Sequence, residues 1–209
     1  MKIYDISQEV FGCKVFSGDP APEREWLSQM TEGAQYNLTA FRMCAHNGTH
    51  VDAPYHFCPE GKTVNQVPLE NFVGMAFVVF CQGNVTAEAA WEILKKAEAC
   101  DARASRRILI GGKATLTTEA AEVFARAGIL LYGNESQTVG PEDAPMEVHK
   151  KLLGAGTVLL EGIRLGEVPE GAYFLYAAPI NLGGAEGAPC RAVLIGGEDG
   201  AFVPSEGQV

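Results

Sequence analysis

His46-Asn47-Gly48-Thr49-His50-Val51-Asp52-Ala53-Pro54-Tyr55-His56 holds three of the four histidines in the chain. Histidine is the commonest metal ligand and the side chain that titrates nearest neutral pH. Two ligands of one metal must bring donor atoms within about 4 Å of each other, because each bond is about 2.0–2.2 Å long. In a regular strand His46 and His50 would stand about 13 Å apart at about 3.3 Å per residue. Asn47-Gly48 resolves this, since the pair favours positive φ and tight turns. The chain is expected to reverse there and swing the two imidazoles together. His50 and Asp52 are two residues apart and share a face if that piece is extended. Pro54 biases Ala53 away from helix, which displaces His56 onto the next segment, near the site.

The fourth histidine, His149, stands twelve residues before Glu161. In Met146-Glu-Val-His-Lys-Lys-Leu-Leu153 a helical reading puts His149 on the face of Leu152 and Leu153, with Lys150 and Lys151 outward. Glu161 lies in the strand-like run TVLLEGI and shares a face with Thr157, Leu159 and Ile163. A carboxylate among leucines is costly unless paired with a cation or a metal. Two readings stay open for these residues: metal ligands, or a hydrogen-bonded core histidine and a glutamate paired with Arg164 or Arg191.

Outward from this stretch, apolar β-rich runs recur at Met75–Cys81, Arg107–Ile110, Ile129–Tyr132, Thr157–Ile163, Tyr173–Tyr176 and Arg191–Ile195. Helices are predicted over Thr86–Ala99, capped by Thr86 with Trp91, Ile93, Leu94 and Ala97 on an apolar stripe, and over Thr118–Ala127, capped by Thr118 and ended by Gly128. A shorter one covers Met146–Leu153. The first 85 residues are rich in turns, with one further helix predicted over Pro22–Glu32. Strands alternating with helices argue for α/β, here a mixed sheet with packed helices. The length suits a single domain over 1–209.

Hydrophobic content is 47% and charged content 20%, enough for a sizeable core. A net charge of −10 repels phosphate backbones and argues against a nucleic-acid partner. MKIYDISQEVFGCKVF lacks the apolar core of a secretory signal, and no apolar run approaches the roughly 20 residues that span a bilayer. A soluble cytoplasmic protein with no membrane partner is expected. The six cysteines form no C-x-x-C pair and read as reduced thiols, although Cys44 and Cys58 flank the histidine stretch. H-E-x-x-H, phosphate-loop, dinucleotide-loop and G-x-S-x-G motifs are absent from the sequence.

The stretch HNGTHVDAPYH resembles the H-x-G-T-H-x-D-x-P-x-H motif of the metal-dependent cyclase superfamily, which includes bacterial kynurenine formamidases and isatin hydrolases. Asp5-Ile6-Ser7 and Gly18-Asp19-Pro20 resemble the family's opening, HKKLLGAGTVLLEGIRL its second metal-binding segment, and Ala188–Val193 its closing strand. The resemblance implies a swivelling β/β/α fold, a homodimer or homotetramer, and one or two divalent metals. It assigns His46, His50 and Asp52 to the first metal, and Asp52, His149 and Glu161 to the second. It makes His56 the catalytic histidine and Phe16 a substrate-pocket aromatic. Where many formamidases carry Gly-x-Asp-x-x-Ser-[Val/Ile]-Asp, this chain has Gly133-Asn-Glu135-Ser-Gln-Thr138-Val-Gly140.

Donors that are all nitrogen and oxygen suit Zn²⁺ or Mn²⁺. The implied reaction is hydrolysis of a small amide, formamide (arylformamidase-like) or cyclic amide through metal-activated water, with His56 moving the proton. The rivals are a metal-dependent lyase or isomerase on the same site, and a non-catalytic metal-stabilised binding protein. A structural site is normally closed by four protein ligands, and an extra histidine beyond Asp52 favours catalysis.

Overall fold

Apolar runs become strands where both edges find a partner. In this computed structural model, which describes residues 1–197, 200 and 201, the strands are β1 (Lys2–Asp5), β2 (Glu23–Ser28), β3 (Leu38–Arg42), β4 (His50–Asp52), β5 (Val73–Phe80), β6 (Gly83–Val85), β7 (Arg107–Gly111), β8 (Ala114–Leu116), β9 (Leu131–Asn134), β10 (Val158–Glu161), β11 (Gly171–Tyr176), β12 (Gly187–Pro189) and β13 (Val193–Gly196). The helices are α1 (Ala87–Cys100), α2 (Thr118–Ala127) and α3 (Met146–Gly154). The end of the expected 1–209 domain lies outside the described residues.

Nine strands form one mixed sheet in the order β1-β13-β11-β5-β7-β9-β10-β4-β12. Its centre, β5-β7-β9-β10, is parallel, and its flanks are antiparallel. The central runs are apolar without alternation because they are covered on both faces. One face packs Ile108, Ile110, Tyr132 and Leu159 against Phe124 of α2 and Leu152 and Leu153 of α3. On the other face Leu109, Leu131, Val158 and Leu160 meet Val51, Tyr173 and Leu194. Strands and loops supply that second core, so the sheet curls over its own side chains. This is the α/β architecture expected, with three helices on one side.

Three local expectations are corrected. Pro22–Glu32 is not a helix: β2 pairs antiparallel with β3, and only Met30–Glu32 forms a 3₁₀ turn. Thr39 and Phe41 make Leu38–Arg42 a good strand, and cross-strand pairing overrides the helical spacing of Trp26, Leu27 and Met30. The cap of α2 is Thr117, whose hydroxyl accepts from the Ala120 amide at 3.2 Å, while Thr118 is the first helical residue. In α1, Ala90, Ile93 and Ala97 are buried under a capping Thr86, but Trp91 is 51% exposed, one step round the helix from the stripe.

Pairing of β10 with β4 does most to build the site. The register sets His50 opposite Glu161 and Asp52 opposite Leu159, on the helix-facing side. The next helix-facing position after Glu161 is lost, because Gly162 turns at φ +69° and Ile163 joins the other core. Helix α3 packs over β10 and points His149 down at the same place.

Candidate metal centre

The expected reversal forms around Asn47-Gly48, with its hydrogen-bonded turn over Cys44–Asn47. The Asn47 amide donates to the Cys44 carbonyl at 3.2 Å, the Asn47 side-chain oxygen accepts the Cys44 amide at 2.8 Å, and Gly48 takes φ +67°. The turn brings the His46 and His50 rings to 5.1 Å between centroids. His46 Nδ1 is 2.9 Å from Asp52 Oδ1, and His50 Nε2 is 3.5 Å from the same oxygen and 3.4 Å from Glu161 Oε2. His149 Nε2 lies 3.2 Å from Glu161 Oε1 and 3.6 Å from Asp52 Oδ2. Two groups result, His46/His50/Asp52 and Asp52/His149/Glu161, each with its donor atoms within 4.8 Å of one another and Asp52 common to both.

The far nitrogen of each imidazole is held. His50 Nδ1 donates to the Gly48 carbonyl at 3.1 Å, and His149 Nδ1 donates to the Pro145 carbonyl at 2.8 Å. Both therefore present Nε2 to the carboxylates in the tautomer that a metal requires. His46 Nε2 faces Glu186 Oε1 at 3.2 Å. Buried polar atoms in native proteins almost always have partners. His50 Nε2 and Asp52 Oδ2 are buried with no hydrogen-bond partner among the described residues, and both point into the cluster. Orphaned donors on converging imidazoles and carboxylates fit a divalent cation. The alternative pairings of Glu161 do not form: Arg191 pairs with Asp5, and Arg164 donates to backbone carbonyls. Cys44 and Cys58 belong to neither group.

The charges around this cluster are interlocked. Burial opposes the proton on His46, but the hydrogen bond and charge of Asp52 outweigh it and push its pKa up to about 9. Burial likewise opposes the charge on Asp52, and the His46 bond with the neighbouring histidines holds its carboxyl well below the usual range. His149 is also raised: the bond to Glu161 overcomes its burial. His56 goes the other way. Its burial prevails over the nearby Asp52 charge and lowers its pKa, which leaves the ring neutral at pH 7.

A cavity of about 220 Å³ opens onto His46, His50, His149 and Glu161. His56 lines it from the 3₁₀ turn Pro54–His56, stacked on His46 at 4.2 Å between ring centroids. Phe16 lines it as well. Phe57, whose ring lies 4.8 Å from His149, and Pro145 line it too and carry no signal in the sequence, while Asp19 and Gln137 fall within motif stretches that assign them no role. Thr138 and Glu135 stand out in the sequence only as departures from the formamidase pattern. Glu135 accepts the amides of Gly112 and Leu165, a backbone-binding role open to either acid, and Thr138 lines the cavity. Gln137 bonds the same Gly48 carbonyl as His50, at 2.9 Å. No spacing pattern announces a residue that reaches the site through a backbone carbonyl.

The Cyclase family model matches residues 4–141. A kynurenine formamidase of Paracidovorax citrulli is 33% identical over 92% of this chain and 95% of its own length. A solved structure from Bacillus stearothermophilus, described as a predicted metal-dependent hydrolase, is 26% identical with a TM-score of 0.75, covering 92% of this chain and 97% of that one. Isatin hydrolase A of Labrenzia aggregata shares the fold at a TM-score of 0.75 and 22% identity, over 92% of this chain and 93% of its own. With its clustered imidazoles and carboxylates on that fold, this chain belongs to the cyclase family and is a metal-dependent hydrolase.

Proposed function

We propose that the chain hydrolyses the C–N bond of a small amide, with N-formyl arylamines as the first substrate class and cyclic amides such as isatin as the second. The observation that carries this reading is a neutral, cavity-lining His56 beside a cluster whose buried donors converge around Asp52. The kynurenine formamidase relatives support the formamide class. His46, His50 and Asp52 would hold one divalent metal, and Asp52, His149 and Glu161 a second. Such a metal, Zn²⁺ or Mn²⁺, supplies Lewis acidity that polarises a carbonyl and brings the pKa of water toward about 7.

His56 takes a proton from the attacking water and returns it to the leaving nitrogen, so water and amide become acid and amine with no net change in the enzyme. Its lowered pKa suits the first half of that exchange. Phe16 and Phe57 flank the cavity with aromatic surface for a flat substrate, and Phe57 limits how far the His149 ring can move. We further propose a homodimer or homotetramer acting in the cytoplasm, with 1–209 as one domain. The β2–β3 hairpin supports self-association: Trp26, Leu27, Tyr36 and Phe41 are exposed on it, and a lone two-stranded hairpin is marginally stable in water. Among the described residues no helix is long and apolar enough to cross a membrane.

The test is turnover of a panel of N-formyl arylamines and cyclic amides, isatin included, before and after chelation. Metal-dependent release of formate or ring opening supports the proposal. Enolate chemistry without hydrolysis would make the chain a lyase or isomerase, and tight metal binding without turnover would make it a binding protein.

A further inference from the structure

We propose that Glu186 is a positioning residue for the His46/His50/Asp52 group, its carboxylate fixing the His46 imidazole and strengthening it as a donor. The inference rests on the metal-hydrolase reading. His50 and His149 each give their second N–H to a backbone carbonyl. His46 alone gives it to a charged group: Nε2 faces Glu186 Oε1 at 3.2 Å while Nδ1 faces Asp52 Oδ1 at 2.9 Å.

The backbone is built for this contact. The Glu186 carbonyl accepts the Ala53 amide at 2.8 Å, and β12 then pairs Gly187 with Asp52. A Cβ on Gly187 would lie 2.9 Å from His46 Cε1, so only glycine leaves room for the ring beside the strand. A carboxylate acceptor locks the tautomer, and its charge makes the imidazole a better electron donor than a carbonyl acceptor does. The Glu186 side chain is 40% exposed, so it contributes through this bond rather than through packing.

The experiment is a Zn²⁺ titration of the full chain against a chromophoric chelator, for the unaltered protein, Glu186→Ala and Glu186→Gln, with melting of the EDTA-treated proteins alongside. Glu186→Ala is expected to weaken the tightest binding event by about 10–100-fold. Glu186→Gln keeps the shape and an acceptor but not the charge, and is expected to recover part of that loss. The proposal is overturned if Glu186→Gln binds as tightly as the unaltered chain, if Glu186→Ala does, or if the weakening merely tracks a fall in metal-free melting temperature. An unaltered chain that takes up no Zn²⁺ would instead remove the metal reading itself, and the proposal with it.

Discussion

Removing metal should leave a protein whose stability falls on the alkaline side, and His46 sets the size of the effect. In the folded chain its pKa stands at about 9 against an ordinary 6.5, because the Asp52 bond outweighs the cost of burial. The folded state binds this proton more tightly than the unfolded state does. The stabilisation is therefore complete below about pH 6.5 and is lost as pH rises through about 9. At 1.36 kcal/mol per pH unit the rise corresponds to about 3 kcal/mol. The His46 side chain is only 13% exposed, so solvent screening removes little of it. For a chain of this size that amounts to about 6–12 °C in melting temperature. His149, also raised, adds a change of the same sign, whereas the lowered His56 makes the fold lose stability toward acid. Subtracting a His46→Gln variant isolates the His46 contribution. The assay is thermal unfolding of EDTA-treated protein from pH 6 to 9.5. The difference between unaltered and variant chains should shrink across that window. A constant difference would show that His46 carries no proton in the metal-free fold. Metal must displace that proton, so metal affinity should rise with pH over the same range.

Four further outcomes are expected. His56→Ala should lose about 10²–10⁴-fold in turnover while keeping its metal and its melting temperature; a metal-free product would make His56 a ligand instead. His149→Ala and Glu161→Gln should reduce metal content or activity and Lys150→Ala should not, and equal values for all three would return His149 and Glu161 to the core. Gly162→Ala should cost about 2–5 kcal/mol by chemical denaturation from its left-handed backbone and overpacking, since φ is +69° and a Cβ would stand 2.4 Å from the Gly48 carbonyl oxygen. Thr117→Ala should cost about 1 kcal/mol and Thr118→Ala under about 0.5 kcal/mol in the same assay, because only Thr117 caps α2.

Local chemistry explains which parts of this site could be read from residues alone. The Asn47-Gly48 turn, the two-residue spacing of His50 and Asp52, and the leucines beside His149 and Glu161 each constrain one short segment, and those segments adopt the expected shapes. Convergence of the segments depends on the antiparallel register of β4 on β10 and on α3 packing over β10, which no local spacing encodes. The family motif supplied that convergence instead. Residues acting through backbone carbonyls, such as Gln137, and Glu186, just before the edge strand β12, are silent for the same reason. In Pro22–Glu32 the apolar spacing suits a helix as well as a hairpin, and pairing with Leu38–Arg42 decides between them. Thr117-Thr118 offers two equivalent caps in sequence, and only the backbone at Thr117, φ −80° and ψ 160°, selects one.

Whether the imidazole and carboxylate cluster holds metal is decided by elemental analysis of the purified chain, beside a sample reloaded with Zn²⁺ or Mn²⁺ and a His50→Ala variant. His50 is buried, and its Nε2 lies within 3.5 Å of carboxylate oxygens on both Asp52 and Glu161, so its loss should disable the cluster without exposing the core. Roughly one or more divalent metals per unaltered chain is the expected result, as for a site worth about 10 kcal/mol, with a marked loss in His50→Ala. Less than roughly a tenth of a metal per chain, even after reloading, or full metal in the His50→Ala variant, would contradict it.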